Sequence, residues 1–166
     1  MRTMHQWLEA YGDSHRHPVN KAIHRVCVPA IVFSVLGFLW LIPVPQVAAQ
    51  LGPWANWGTL TVALATVYYA ALSPALALGM GAAVGTMLIV VHLLQARAGV
   101  PLWPVVSAIF VVAWIGQFVG HQIEGKKPSF FMDLQFLLIG PAWLLADLYR
   151  QLGYDPAPAD RGSPAR

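Results

Sequence analysis

No aspartate, glutamate, lysine or arginine occurs anywhere between Val26 and Ala96. A water-exposed surface cannot be made from such a stretch, because a soluble domain carries about 25% charged residues. Apolar runs of roughly 20 residues instead suit helices that cross a bilayer, where each backbone polar group must be satisfied inside its own segment. Over all 166 residues only 10% are charged and 57% are hydrophobic. The pattern predicts an all-α fold: a polytopic membrane helix bundle of about five hydrophobic helices. A short interfacial helix precedes it. Residues 1–154 read as a single integral-membrane domain, and 155–166, with three prolines, as a disordered tail.

The runs have clear punctuation. The first covers 26–42 and stops at Pro43-Val44-Pro45, and the second covers 57–72 and stops at Ser73-Pro74. A third covers 75–94 and a fourth 102–120. A fifth, 130–149, contains Gly140-Pro141 and reads as a kinked or imperfect span. Residues 3–11 form the interfacial helix, with Trp7 and Tyr11 suited to the headgroup level. Gly79, Gly81 and Gly85 beside alanines read as close helix packing, not as a phosphate loop.

Counting sides puts Arg2, Arg16, Lys21, Arg25, Lys126 and Lys127 at one face. Arg97, Arg150, Arg161 and Arg166 fall at the other if the fifth segment crosses. The bias makes the first face cytoplasmic, in what reads as a multi-pass protein of a bacterial inner membrane. It also accounts for a pI near 9.3 without a nucleic-acid partner. Glu9 and Asp13 precede the first apolar run, unlike a secretory signal, so the N-terminus reads as uncleaved. The single Cys27 excludes an internal disulfide and a cysteine zinc cluster.

Two polar clusters interrupt this apolar background. SHRHPVNKAIH, residues 14–24, holds three histidines, and QFVGHQIEGKKP, residues 117–128, places Gln117, His121 and Glu124 on one helical face. The topology brings His15, His17, His24, His121 and Glu124 to one membrane face and leaves His92 near the other. Neutral imidazole is the commonest metal ligand, and histidines with a carboxylate suit iron(II) or zinc. His15, His24, His121 and Glu124 are therefore candidate ligands of one ion. His15 and His24 would face opposite ways on one continuous helix, so they converge only if the chain bends, which Pro18 permits. The alternatives are interfacial histidines bonded to headgroups or loop carbonyls, and a Glu124 paired with Lys126 or Lys127. Asn20 either orients a ligand or caps its own turn. His17 reads as a solvated neighbour and His5 as surface. A haem protein with two axial histidines and a non-catalytic scaffold or transporter are the competing classes.

The pattern YGDSHRHPVNKAIHRVCVP (11–29) followed by WIGQFVGHQIEGKKPSFFMDLQFLLIGP (114–141) resembles the fungal 2-hydroxy fatty acid dioxygenase family. The family's H-x4-N-x3-H falls on His15, Asn20 and His24, and its Q-F-x-G-H-x-x-E on Gln117, Phe118, Gly120, His121 and Glu124. His17 and His92 have no firm place in it. Many fungal members carry an aromatic residue where Ser14 stands, which points to a different pocket shape. The resemblance implies an Fe(II)-dependent membrane enzyme of fatty acid α-oxidation. Its substrates would be O2 and a long-chain 2-hydroxy fatty acid, its product the acid one carbon shorter. His15, His24, His121 and Glu124 would be its metal ligands and catalytic residues, with Asn20 and Gln117 behind them. Lys21, Arg25 and Lys126 are candidates to steer the substrate carboxylate.

Overall fold

The structure, a computed structural model, describes residues 3–13, 15–97, 99, 101–125 and 136–157. Among these residues it is wholly helical, with seven helices. They are α1 (Met4–Gly12), α2 (Pro18–Leu41), α3 (Gln46–Ala49), α4 (Trp57–Leu72), α5 (Pro74–Arg97), α6 (Leu102–Glu124) and α7 (Phe136–Gln151). Three of them, α2, α5 and α6, are long and apolar enough to cross a membrane, and α4 is a shorter apolar helix.

Local chemistry sets the helix ends. Thr3 and Gln6 form a reciprocal capping box at the start of α1. Pro18 opens α2, where its missing N–H is no loss, and His17 caps the helix by accepting from the Val19 N–H. Asn56 caps α4 through the Thr59 N–H. Gly125, at φ +73°, ends α6 in the left-handed region that glycine tolerates.

Helix α2 is central and packs on α4, α5, α6 and α7. Its closest partner is α6. A Cβ on Gly116 would stand 2.6 Å from Cys27 Sγ, and one on Gly120 would collide with Asn20 Oδ1. Two glycines four residues apart thus let the α6 backbone approach α2, as small residues do where no hydrophobic force drives helices together. Of the three glycines singled out in α5, Gly79 lies against Leu145 and Tyr149 and Gly81 faces Thr66, whereas Gly85 has open space around it.

Trp7 and Tyr11 are covered by protein: with Met4 and Leu8 they form the buried stripe of α1, which packs on α7. The fifth segment is the imperfect span, since α7 does not carry the chain to the far end. The Tyr69 hydroxyl donates to the Leu138 carbonyl near its start, and the Tyr149 hydroxyl to the Ala75 carbonyl near its end. Ser73 Oγ then donates to the Pro156 carbonyl at 2.7 Å. The chain therefore leaves α7 beside the 73–74 turn, at the end of the bundle where α6 stops. Arg150 joins Arg16, Lys21 and Arg25 there, which leaves Arg97 as the far-end basic residue among the described residues. Ala157 is buried, and the rest of the expected tail lies outside the described residues.

Replacing Gly116 with leucine should overpack the α2–α6 contact and cost roughly 1–3 kcal/mol. Gly85→Ala should cost nothing, since helix propensity favours alanine. Thermal unfolding of the purified protein in one detergent compares the two.

Candidate metal centre

Helix α1 ends at Gly12 and α2 begins at Pro18, so the short link between them supplies the bend that His15 needs. His15, His24 and His121 are all buried, at 1%, 1% and 5% exposure. One ring nitrogen from each lies within 4.8 Å of the other two. The three ring centroids stand 4.3 to 5.1 Å apart and meet edge to face. Two stretches separated by about a hundred residues therefore meet at one point.

Their tautomers follow from their partners. His15 Nδ1 is 2.7 Å from the Tyr11 carbonyl, and His24 Nδ1 is 3.0 Å from the Asn20 carbonyl. A carbonyl can only accept, so each Nδ1 carries the hydrogen. In neutral rings both Nε2 atoms are then bare lone pairs, yet they face each other at 2.9 Å. Two lone pairs at that distance repel unless a cation lies between them. A proton is disfavoured, because burial lowers the His15 pKa to about 4, with the Tyr11 carbonyl only partly opposing it. A divalent ion fits: imidazoles about 2.1 Å from one metal and at right angles stand about 3 Å apart. A backbone carbonyl behind each Nδ1–H is also the usual support for a ligating histidine.

Glu124 does not belong to this group of three. Its Oε1 accepts from the Arg16 N–H at 2.9 Å, and its Oε2 from the His17 N–H at 2.8 Å and from Asn20 Nδ2 at 3.1 Å. The carboxylate thus caps the start of α2, where an anion is favoured, and ties the end of α6 to the loop that carries His15. Asn20 is fully buried and serves both ends: its amide holds Glu124 and its carbonyl holds His24.

The remaining candidates are spread around the group. Gln117 is buried, and its Nε2 has no hydrogen-bond partner among the described residues. It lines an apolar cavity of about 70 Å³ together with His24, His121, Tyr11 and Gly140. Lys21 lines a second, polar cavity of about 280 Å³ with His15, its ammonium 6.0 Å from the Trp143 ring centre. Arg25 is engaged with Asp147 at 2.9 Å. Lys126 lies outside the described residues. His17 is exposed at its cap, His5 pairs with Glu9 at 3.3 Å, and His92 packs on Trp40 and Trp54 at the far end.

Sequence reasoning missed Tyr11 and Trp143. The Tyr11 ring stacks on His15 at 4.2 Å, and Gly140 leaves room for its hydroxyl. The Trp143 ring lies 5.6 Å from both the His15 and the Tyr11 rings. The apolar spacing of Met4, Trp7, Leu8 and Tyr11 was the available signal for Tyr11, since it marks a face that must be covered.

The family described as 2-hydroxy-palmitic acid dioxygenase Mpo1-like matches residues 1–152. The chain belongs to the Mpo1-like family. It is 28% identical over 149 residues to the 2-hydroxy-palmitic acid dioxygenase MPO1 of Saccharomyces cerevisiae, with 88% of this chain and 79% of that protein covered. No solved structure matches it significantly. Both motifs that carried the resemblance lie inside the Mpo1-like match, and they are the stretches that meet at the three histidines.

The burial of His15 has a pH consequence. Its folded pKa lies below the ordinary value of about 6.5, so the unfolded chain binds the proton more readily. The metal-free protein should hold its stability above pH 6.5 and lose it as pH falls from there through about 4. Unfolding midpoints measured across that range in chelator check the sign. Glu124→Ala should cost about 1–3 kcal/mol at neutral pH, because it strands the amide of the buried Asn20.

Proposed function

We propose that this chain is an iron(II)-dependent dioxygenase of fatty acid α-oxidation. It would convert a long-chain 2-hydroxy fatty acid and O2 to the acid one carbon shorter and CO2. The observation that carries the reading is the pair of facing Nε2 lone pairs on His15 and His24, with His121 beside them. The relative's printed name supplies the substrate class. The balance R-CHOH-COOH + O2 → R-COOH + CO2 + H2O closes with no outside reductant, because the substrate gives up all four electrons.

His15, His24 and His121 would hold the metal. Iron(II), when bound, supplies the affinity for O2 and for a chelating 2-hydroxy acid, and leaves positions open for both. The protein's own residues do the rest. The Tyr11 and Asn20 carbonyls fix the two tautomers, so that Nε2 faces inward on both rings. Three neutral donors leave the full double charge of the ion in a dry site, which favours an anionic partner such as a hydroxy-carboxylate. Gln117, whose Nε2 has no hydrogen-bond partner among the described residues, would donate to an oxygen of that head. Lys21, in the polar cavity beside His15, attracts the carboxylate, a role Lys126 would share. Glu124 positions His15 through the α1–α2 link instead of ligating. The stacked Tyr11 ring shields the site from water. In this reading α2, α4, α5 and α6 cross a bacterial inner membrane, and the basic end that carries the site faces the cytoplasm.

Iron should co-purify at about one atom per chain. His24→Ala and His121→Ala should each remove it and lower turnover by more than the roughly 100-fold that loss of an outer partner costs. Metal analysis reads the first effect. Release of labelled CO2 from carboxyl-labelled 2-hydroxypalmitate reads the second. Equal turnover without oxygen would sink the activity, as would a haem absorption band in the active preparation.

A further inference from the structure

The small cavity beside His24, His121 and Gln117 is not closed. It shares four wall residues, Ile31, Val32, Leu137 and Pro141, with a larger apolar cavity of about 210 Å³ between α2, α4, α5 and α7. Pro141 has no N–H to return to the preceding turn of α7, and its ring forms part of both walls. Two of the three hydroxyls along the larger cavity are satisfied from within: Thr66 Oγ1 donates to the Val62 carbonyl, and the Tyr69 hydroxyl to the Leu138 carbonyl. Thr61 is the third, and the rest of the lining is apolar, so the cavity suits a hydrocarbon.

The passage also has a far end. Helix α2 passes from His24 beside the metal centre to Leu36 at the end of the larger cavity, about 18 Å along its axis. Helix α4 runs the opposite way and brings Thr61 and Val62 to the same depth. Just beyond, Gly58 fits against the Leu36 carbonyl and Leu88, and a Cβ there would stand 3.4 and 3.2 Å from them. That close contact of three helices leaves no room for the passage to continue.

We propose that the two cavities together form the acyl channel of the enzyme, and that its end at Leu36, Thr61 and Val84 limits the chain length it accepts. The inference rests on the proposed activity for the identity of its ligand. The occupant is a single saturated acyl chain, held with its polar head at the three histidines and its methyl end at α4. Ala65 lies midway along the α4 wall, half-buried, where a larger side chain would shorten the space without touching the histidines.

Two measurements on the full chain in detergent test this. In the first, Ala65→Trp is compared with the unaltered protein on 2-hydroxylaurate and 2-hydroxypalmitate. The variant should lose about tenfold or more in kcat/KM for the longer acid, the loss expected when roughly two or more methylenes leave an apolar site. It should stay within about twofold on the shorter acid. Equal losses on both acids, or none, would overturn the proposal. The second uses the unaltered protein and a 2-hydroxy acid with a photoreactive diazirine at its methyl end. Adducts should map to Thr61, Val62 or Val84. Adducts on the outer face of α6, at Val112 or Ile115, would overturn the channel and leave the activity standing. Adducts at the channel end in a protein that turns over no 2-hydroxy acid would do the reverse, so the two ideas fail separately.

Discussion

One carboxylate joins the two halves of the site. Glu124 stands at the last turn of α6 and accepts from the backbone of Arg16 and His17 and from the Asn20 side chain. That clamp is a direct tie between the link carrying His15 and the end of α6 carrying His121. The clamp in turn depends on the α2–α6 approach, which Gly116 and Gly120 permit by having no side chains. Coordination chemistry, helix capping and backbone packing thus act at one junction.

Much of this junction was legible in the residues. Charge-free runs and proline breaks gave the order of the apolar helices. Counting crossings put His15, His24 and His121 at one end and His92 at the other, as the structure does. Pro18 marked the bend between His15 and His24. The role of Glu124 was not legible, because its main partners are backbone N–H groups, which carry no signature in a sequence. The support that Tyr11 gives His15 is hidden for the same reason, since it comes from a carbonyl.

The path of α7 was hidden differently. Hydropathy records what a segment is made of, and an apolar helix that doubles back has the same composition as one that crosses. The hydrogen bonds from Tyr69 to Leu138, from Ser73 to Pro156 and from Tyr149 to Ala75 decide between the two, and each is a long-range contact. Gly140-Pro141 carried part of the answer. The glycine makes room for the Tyr11 hydroxyl, and the proline lines both apolar cavities.

The donor set has an implication for life in a cell. Three uncharged nitrogens, with the nearby carboxylate committed elsewhere, give little thermodynamic preference for iron over its neighbours. Copper and zinc bind such donors more tightly than ferrous iron does. Under the proposed iron reading, correct loading would be governed by which ion is in free supply when the chain folds, with copper and zinc as the competitors.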